Sequence, residues 1–246
     1  MILGAGTPYY GYCFEEIDAA VCALTNRTVV FNEKHHFKAP EGSIIFNLEN
    51  VPTQVNPALW KGHEIWDCSP RNIAQYPSDV PVTHVPIGYH PSMTRFNQCK
   101  AEDQDIDVIF CGYMNQRRYI VIEELRVKGL NVALPEYKFF GKERDALIAR
   151  SKLALDMRYY EDGIFPALRS LHLAANRVPV VAETSEEMPP WAIHHFPYKA
   201  LVPNILDLVY NDKLREQLAQ ESFNILQNHP LQLPYSPARP VAPEAR

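Results

Sequence analysis

The stretch Arg158-Tyr159-Tyr160-Glu161-Asp162-Gly163-Ile164-Phe165-Pro166-Ala167-Leu168-Arg169, followed downstream by Val178-Pro179-Val180-Val181-Ala182-Glu183, decides the fold. Lys152 to Met157 before it reads as a buried strand, Phe165 to Asn176 as a helix, and Val178 to Ala182 as a second buried strand. Two apolar runs joined by a helix make a parallel βαβ unit. The charged turn around Gly163 then falls between a strand end and a helix N-terminus. Open α/β sheets place ligands there, and free helix N–H groups favour phosphate. The stretch therefore points to a phosphorylated ligand.

Outward from this unit the alternation continues. Asp107 to Cys111 reads as a strand, Arg117 to Lys128 as a helix, Asn131 to Leu134 as a strand and Lys142 to Ser151 as a helix. Gly129 suits a left-handed helix end, with Leu130 as the apolar residue that follows it. Downstream, Pro203 to Gln227 reads as predominantly helical, and the tail from His229, with five prolines, as extended or disordered. Upstream, Met1 to Gly6 reads as a strand entering a turn. Tyr12 to Thr25 reads as a helix with Phe14, Ile17, Ala20, Val21 and Leu24 on one face, and Thr28 to Asn32, Ser43 to Leu48 and Val82 to Pro86 as strands. Pro57 to Gln75, interrupted by Pro57, Gly62 and Pro70, reads as two short helices. The polar composition of Gly88 to Gln104 reads as a linker, with a boundary near residue 100. The expected organisation is α/β: a domain over 1–100 with its linker, a second over 101–228, and a Pro-rich tail over 229–246.

A chain of 246 residues with 46% hydrophobic residues can fill two small cores. Its net charge of −5 gives no general attraction to nucleic acid or anionic membrane, although a local basic cleft can exist inside an acidic shell. Cys13, Cys22, Cys68, Cys99 and Cys111 are odd in number, widely spaced and free of C-x-x-C pairs, which argues against a disulfide framework or a zinc site. No run suggests a membrane span or a signal peptide, so the expected location is cytoplasmic.

Several motifs carry chemistry, each beside a plainer alternative. Gly112 ends a buried strand, and Tyr113-Met114-Asn115-Gln116-Arg117-Arg118 leads into a helix, so Arg117 and Arg118 are candidates for gripping a diphosphate. The alternative is a pair of solvated first-turn residues, where cations are electrostatically unfavourable without an anion. Glu161 is a candidate acceptor of sugar hydroxyls, or with Asp162 a stabiliser of the helix dipole. Arg169 on a largely apolar helix needs an anion, either a ligand or Glu161 or Glu183. Glu49 and Asp67 are the candidate general bases in the first half, with Asp67-Cys68-Ser69 before Pro70 equally readable as a helix-capping turn. The histidine doublets His35-His36 and His194-His195 make poor metal pairs, because adjacent strand residues point to opposite faces. Gly4-Ala5-Gly6 lacks the third glycine of a dinucleotide fingerprint.

In order along the chain, Ile44 to Glu49, Glu64 to Ser69 with Asn72-Ile73, Val85-Pro86-Ile87-Gly88-Tyr89-His90-Pro91, and Asp107 to Glu183 together resemble a compact GT-B glycosyltransferase of the group 1 type. The resemblance spans roughly residues 40 to 225. It implies two Rossmann-like domains with a cleft between them, a nucleotide-sugar donor mostly on the second domain, and a saccharide or other hydroxyl acceptor facing the first. It also implies that no metal and no separate cofactor is needed, since basic side chains and helix N-termini take the leaving diphosphate's charge.

By motif match, Glu161 and Gly163 fall where the Glu-x7-Glu motif of retaining members begins, and Arg169 stands where its second glutamate would be. That departure leaves open ribose binding by a carboxylate, and with it retention or inversion. The implied donor-binding set is Gly112, Asn115, Arg117, Arg118, Arg158, Tyr160, Gly163 and Arg169, with Glu49, Asp67 and Glu161 as catalytic candidates. The expected activity is hexosyl or pentosyl transfer. The alternatives are an inert nucleotide- or sugar-binding module of the same fold, and transfer to modified DNA, which the acidic balance does not favour.

Overall fold

The computed structural model describes residues 2–4, 15–31, 39–51, 60–135 and 141–234. Ala5, Gly6, Phe14, Asn32, His35, His36, Pro57 and the tail beyond Pro234 lie outside the described residues, and with them the expectations placed there. The chain divides into two compact units, one holding Met1–Pro86 with the segment from Leu231, the other Ile87–Pro230.

The first unit carries β1 (Ile2–Gly4), α1 (Glu15–Leu24), β2 (Val29–Phe31), β3 (Ile44–Asn47), β4 (Glu64–Asp67), α2 (Pro70–Ile73) and β5 (Val82–His84). Its strands form one parallel sheet in the order β1-β2-β3-β4-β5. β2 and β3 are buried at every position, which is why their sequences are apolar runs rather than alternations. Val30, Ile45, Ile65, Trp60 and Val80 pack together as a core. Glu64–Asp67 corrects the expectation of two helices over Pro57 to Gln75. Ile65 and Trp66 are buried between β3 and β5, and among the described residues of that range the α-helix is confined to Pro70–Ile73. A strand of four residues is too short to show a period of its own.

The second unit carries β6 (Ile106–Ile109), α3 (Gln116–Val127), β7 (Val132–Ala133), α4 (Gly141–Ala149), β8 (Ser151–Asp156), α5 (Ala167–Ala175), β9 (Val180–Glu183), β10 (His195–Phe196), α6 (Leu201–Val209) and α7 (Asp212–Gln227). All of its strand pairings are parallel, in the order β10-β9-β8-β6-β7. Adjacent residues of β6 face opposite cores. Val108 packs with Ile122 of α3 and Ile205 of α6, and Ile109 with Ile148 of α4 and Leu173 of α5. Helices thus cover both faces, as a doubly wound parallel sheet requires. The expected helix Pro203 to Gln227 is two helices, because Asn211 leaves helical geometry and caps α7 by accepting a hydrogen bond from Leu214 N–H at 3.1 Å. Gly129 takes φ +88° and its N–H donates to Arg126 O, while Leu130 N–H donates to Leu125 O, closing α3 as its sequence predicts.

The division between units falls at 86/87 rather than near residue 100, for a visible reason. The polar segment after Met93 is bound along its length to the second unit. Arg95 and Phe96 N–H both donate to Asn176 Oδ1, Gln98 Nε2 to Ser151 O, and Cys99 N–H to Ala149 O. Polarity here signals a strap tied by hydrogen bonds.

Candidate functional site

In the second sheet β6 and β8 are neighbours, although β6 connects onward through α3 to β7 on its other side. The chain's winding reverses at that point, and the carboxyl ends of the two strands frame the crevice where such sheets bind ligands. β6 runs into Phe110, Cys111 and Gly112, β8 ends at Asp156, and β9 beside it ends at Glu183.

Four guanidinium groups meet two buried carboxylates at this edge. Arg169 directs Nε (2.8 Å) and Nη2 (2.6 Å) at Asp156 Oδ1, Nη1 at Cys111 O (2.7 Å) and Nη2 at Met157 O (3.1 Å). Arg117 grips both oxygens of Glu183, lies 4.2 Å over the Tyr198 ring, and its carbonyl accepts from Tyr198 Oη at 2.6 Å. Arg158 donates to the same carboxylate through Nη2 at 2.9 Å and through its backbone N–H at 3.1 Å. Arg118 donates to the carbonyls of Tyr113, Met157 and Arg158 and lies near the faces of Phe110 and Tyr159. Asp156 and Glu183 are 0% and 1% exposed. Four cations stand against two buried anions, with the charge of the exposed Glu161 acting on Arg117 from the neighbouring turn.

The electrostatics follow from this packing. Burial pushes the Asp156 carboxyl up, while Arg169 pulls it back towards the ionised form. Burial and the neighbouring Arg169 guanidinium lower the Arg118 pKa, whereas at Arg117 burial pulls down but Glu183, Tyr198 and Glu161 together raise the value. An excess of positive charge that is partly out of water is expensive unless an anion arrives.

Arg169 does find a carboxylate, but it is Asp156 rather than Glu161 or Glu183. With three of its nitrogens bonded to the protein, it braces the β6 and β8 ends against α5. Gly112 is part of that brace, since a Cβ there would lie 2.5 Å from Arg169 Nη1 and 2.8 Å from Phe110 Cζ. Asn115 caps α3 by accepting from Arg118 N–H at 3.0 Å, so that N–H is not free for a ligand, and its Nδ2 donates to Tyr159 O at 2.7 Å. Tyr160 packs edge-on against Tyr159 at 4.8 Å, Gly163 is buried, and Glu161 and Asp162 are exposed on the turn between β8 and α5. Sequence reasoning missed Asp156, Tyr198 and the role of Glu183. The available signal was an acidic residue at the carboxyl end of each of two otherwise buried apolar strands.

In the first unit Asp67 and Asn47 end paired strands and face each other. Asp67 is 0% exposed and accepts from Asn47 Nδ2 (2.7 Å), Tyr76 Oη (2.8 Å), Ser69 N–H (2.8 Å) and Asn72 Nδ2 (3.2 Å). Burial raises its pKa against these bonds. Both oxygens are engaged, so as a base it is out of reach, and Ser69 caps α2 as the alternative reading has it. Its hydrogen-bonding neighbours act on Glu49, whose carbonyl accepts from Asn47 Nδ2 (3.0 Å) and Asn72 Nδ2 (2.8 Å). Glu49 itself is partly exposed at the carboxyl end of β3. His195 Nδ1 lies 3.0 Å from Thr184 Oγ1, and the ring of His194, just before β10, packs edge-on to Phe196. Among the described residues no group of three His, Cys, Asp or Glu side chains is placed to hold a metal.

No family model matches the chain. It is 30% identical over 158 residues to uncharacterized protein L140 of Acanthamoeba polyphaga mimivirus, a match covering 60% of this chain and 51% of that protein. The chain thus spans about half the length of that curated relative. Among solved structures it superposes on an alpha-glucosyltransferase in complex with UDP-glucose and DNA containing an abasic site, with a TM-score of 0.53, 9% identity, and coverage of 88% of this chain and 80% of that one. It also superposes on AviGT4, a glycosyltransferase involved in Avilamycin A biosynthesis, with a TM-score of 0.51, 12% identity, and coverage of 91% and 87%. The chain has a GT-B glycosyltransferase-like fold. Within the GT-B-like fold the arginine cluster occupies the carboxyl edge of the second sheet. No helix among the described residues is long and apolar enough to cross a membrane.

Proposed function

We propose that this chain transfers a sugar from a nucleotide-sugar donor to a hydroxyl acceptor without a metal. The observation that carries the reading is the cluster of four arginines against two buried carboxylates at the winding reversal of β6 and β8. A diphosphate supplies the missing negative charge, and guanidinium forks match its oxygens. The neighbours named above are glycosyltransferases, which supports the same class.

Bonding rather than exposure divides the roles, because Arg169 is as exposed as Arg117 at 19% but has all three nitrogens bonded to the protein, so Arg117 and Arg158, which share Glu183, are the diphosphate contacts. Arg118 and Arg169 hold the loops that present them, so the clamp expected from Arg117, Arg118 and Arg169 is redrawn around Glu183. As the bond to the leaving diphosphate breaks, negative charge grows on its oxygens, and prearranged cations stabilise the oxocarbenium-like transition state. Glu161, on the exposed turn beside this cluster, accepts from donor-sugar hydroxyls. Glu49, with its backbone clamped by Asn47 and Asn72, is the candidate base for an acceptor hydroxyl.

Titration with nucleoside diphosphates and nucleotide sugars tests the reading through the melting midpoint. A ligand at 100 times its Kd stabilises the native state by about 2.7 kcal/mol. The midpoint rises in the native chain, the rise shrinks in Arg117→Ala and Arg158→Ala, and donor hydrolysis without acceptor is detectable. No rise with any nucleotide overturns the proposal. Binding without hydrolysis or transfer leaves an inert nucleotide-binding module.

A further inference from the structure

A second polar recess lies in the same unit at the opposite edge of the sheet. Lys152 is the second residue of β8 and Pro179 precedes β9, so its floor is about 13 Å along the strand from Asp156. One wall is the strap around Asn97 to Gln104 and the other is the first half of α7, and between them lies an open groove of about 700 Å³. Pockets of this size accommodate ligands of nucleotide dimensions.

Arg177, just beyond the end of α5, lines this recess. Its φ of +53° is the one left-handed backbone angle outside glycine among the described residues. Arg177 N–H donates to Ala174 O and Val178 N–H to Leu173 O, the helix-ending arrangement in which glycine is the usual occupant. A side chain with a Cβ costs about 1 kcal/mol there. The guanidinium stacks 3.7 Å over the Phe223 ring, which offsets that cost and fixes the group in one place. Stacking occupies its flat face and leaves its N–H edge unused, and among the described residues it has no ion-pair partner.

Lys213 adds a second unfavourable cation. It lies in the first turn of α7, where the helix dipole opposes positive charge, and it lines the same recess. The other three cations there have carboxylate partners, Lys152 with Asp107 at 2.7 Å, Arg215 with Asp212 at 2.5 Å and, more loosely, Lys100 with Glu102 at 3.9 Å. Arg177 and Lys213 thus face each other's recess with only Glu216 as an uncommitted acid among its lining residues.

We infer that this recess is an anion site, separate from the arginine cluster at the other sheet edge, that takes the phosphate group of a nucleotide-sized ligand or of a phosphodiester chain. Guanidinium and ammonium groups on two walls suit an oxyanion with several acceptor oxygens. The inference stands whether or not the chain transfers sugars.

Two probes, pyrophosphate and a short single-stranded oligodeoxynucleotide, separate the two sources of phosphate by calorimetric titration. The titration uses the full chain carrying Arg117→Ala, which weakens the other site. Adding Arg177→Gly relieves the strained backbone while removing the guanidinium, and Lys213→Ala removes an exposed cation. Residual binding of at least one probe, weakened tenfold or more by each substitution in a chain that melts as before, is the expected result. The probe that binds names the source. Binding of neither probe, or binding unchanged by both substitutions, overturns the inference.

Discussion

At the scale of single residues, the candidate site depends on how closely three side-chain positions fit. Gly112 leaves room for the Arg169 guanidinium, and Arg169 in turn neutralises Asp156. Gly112→Ala is expected to lower stability by about 1–3 kcal/mol, as other overpacked sites do, and to weaken nucleoside diphosphate binding. Thermal melts with and without the nucleotide measure both effects. The nearest obstruction to the new methyl is Arg169 itself, so Gly112→Ala does less harm in an Arg169→Ala background. A strictly additive double mutant would show that the contact carries no energy. Asp156→Ala leaves the Arg169 guanidinium without its buried counter-ion and is expected to cost about 3 kcal/mol in urea unfolding, at the low end of the range for a broken buried pair because Arg169 retains some access to water.

At the scale of elements, legibility tracked length and local signals. α3 announced itself through Gly129, which takes the backbone angle that its position requires, and through the apolar Leu130 after it. β4 did not, because four residues carrying one glutamate and one aspartate look no more like a strand than like a broken helix. The break between α6 and α7 was hidden in a run of good helix formers, although Asn211-Asp212 is a capping signature. Asn211→Ala is expected to cost about 1 kcal/mol by removing the Leu214 N–H acceptor, read as a lower midpoint in thermal denaturation. The candidate site was half visible. Its arginines stood out because cations on apolar elements need partners. Which carboxylate each one meets depends on strand register and neighbouring strand ends, and no spacing within the chain encodes that for Asp156 or Glu183.

At the scale of the whole molecule, charge pairs that join distant segments set the response to acid. Asp145 of α4 lies 3.0 Å from His172 of α5 and 3.3 Å from Arg95 of the strap. Burial pushes its carboxyl up, but the His172 bond and the charges of His172, Arg144 and Arg95 outweigh burial and hold it below the ordinary value. Its stabilisation is therefore complete above the unfolded pKa of about 3.9 and is lost as the pH falls through the lower folded value. Urea midpoints between pH 6 and pH 3 should fall less steeply in Asp145→Asn than in the native chain, and parallel curves would rule this pair out as a source of acid sensitivity. The strap has a practical consequence for recombining such proteins. Asn176 holds its amide oxygen for Arg95 and Phe96 and donates to Met93 O, although its side chain is almost wholly buried. A hybrid joined to a foreign first half at 86/87 inherits those partners intact, whereas one spliced after Gln104 strands a buried amide and should reach the insoluble fraction in far greater proportion.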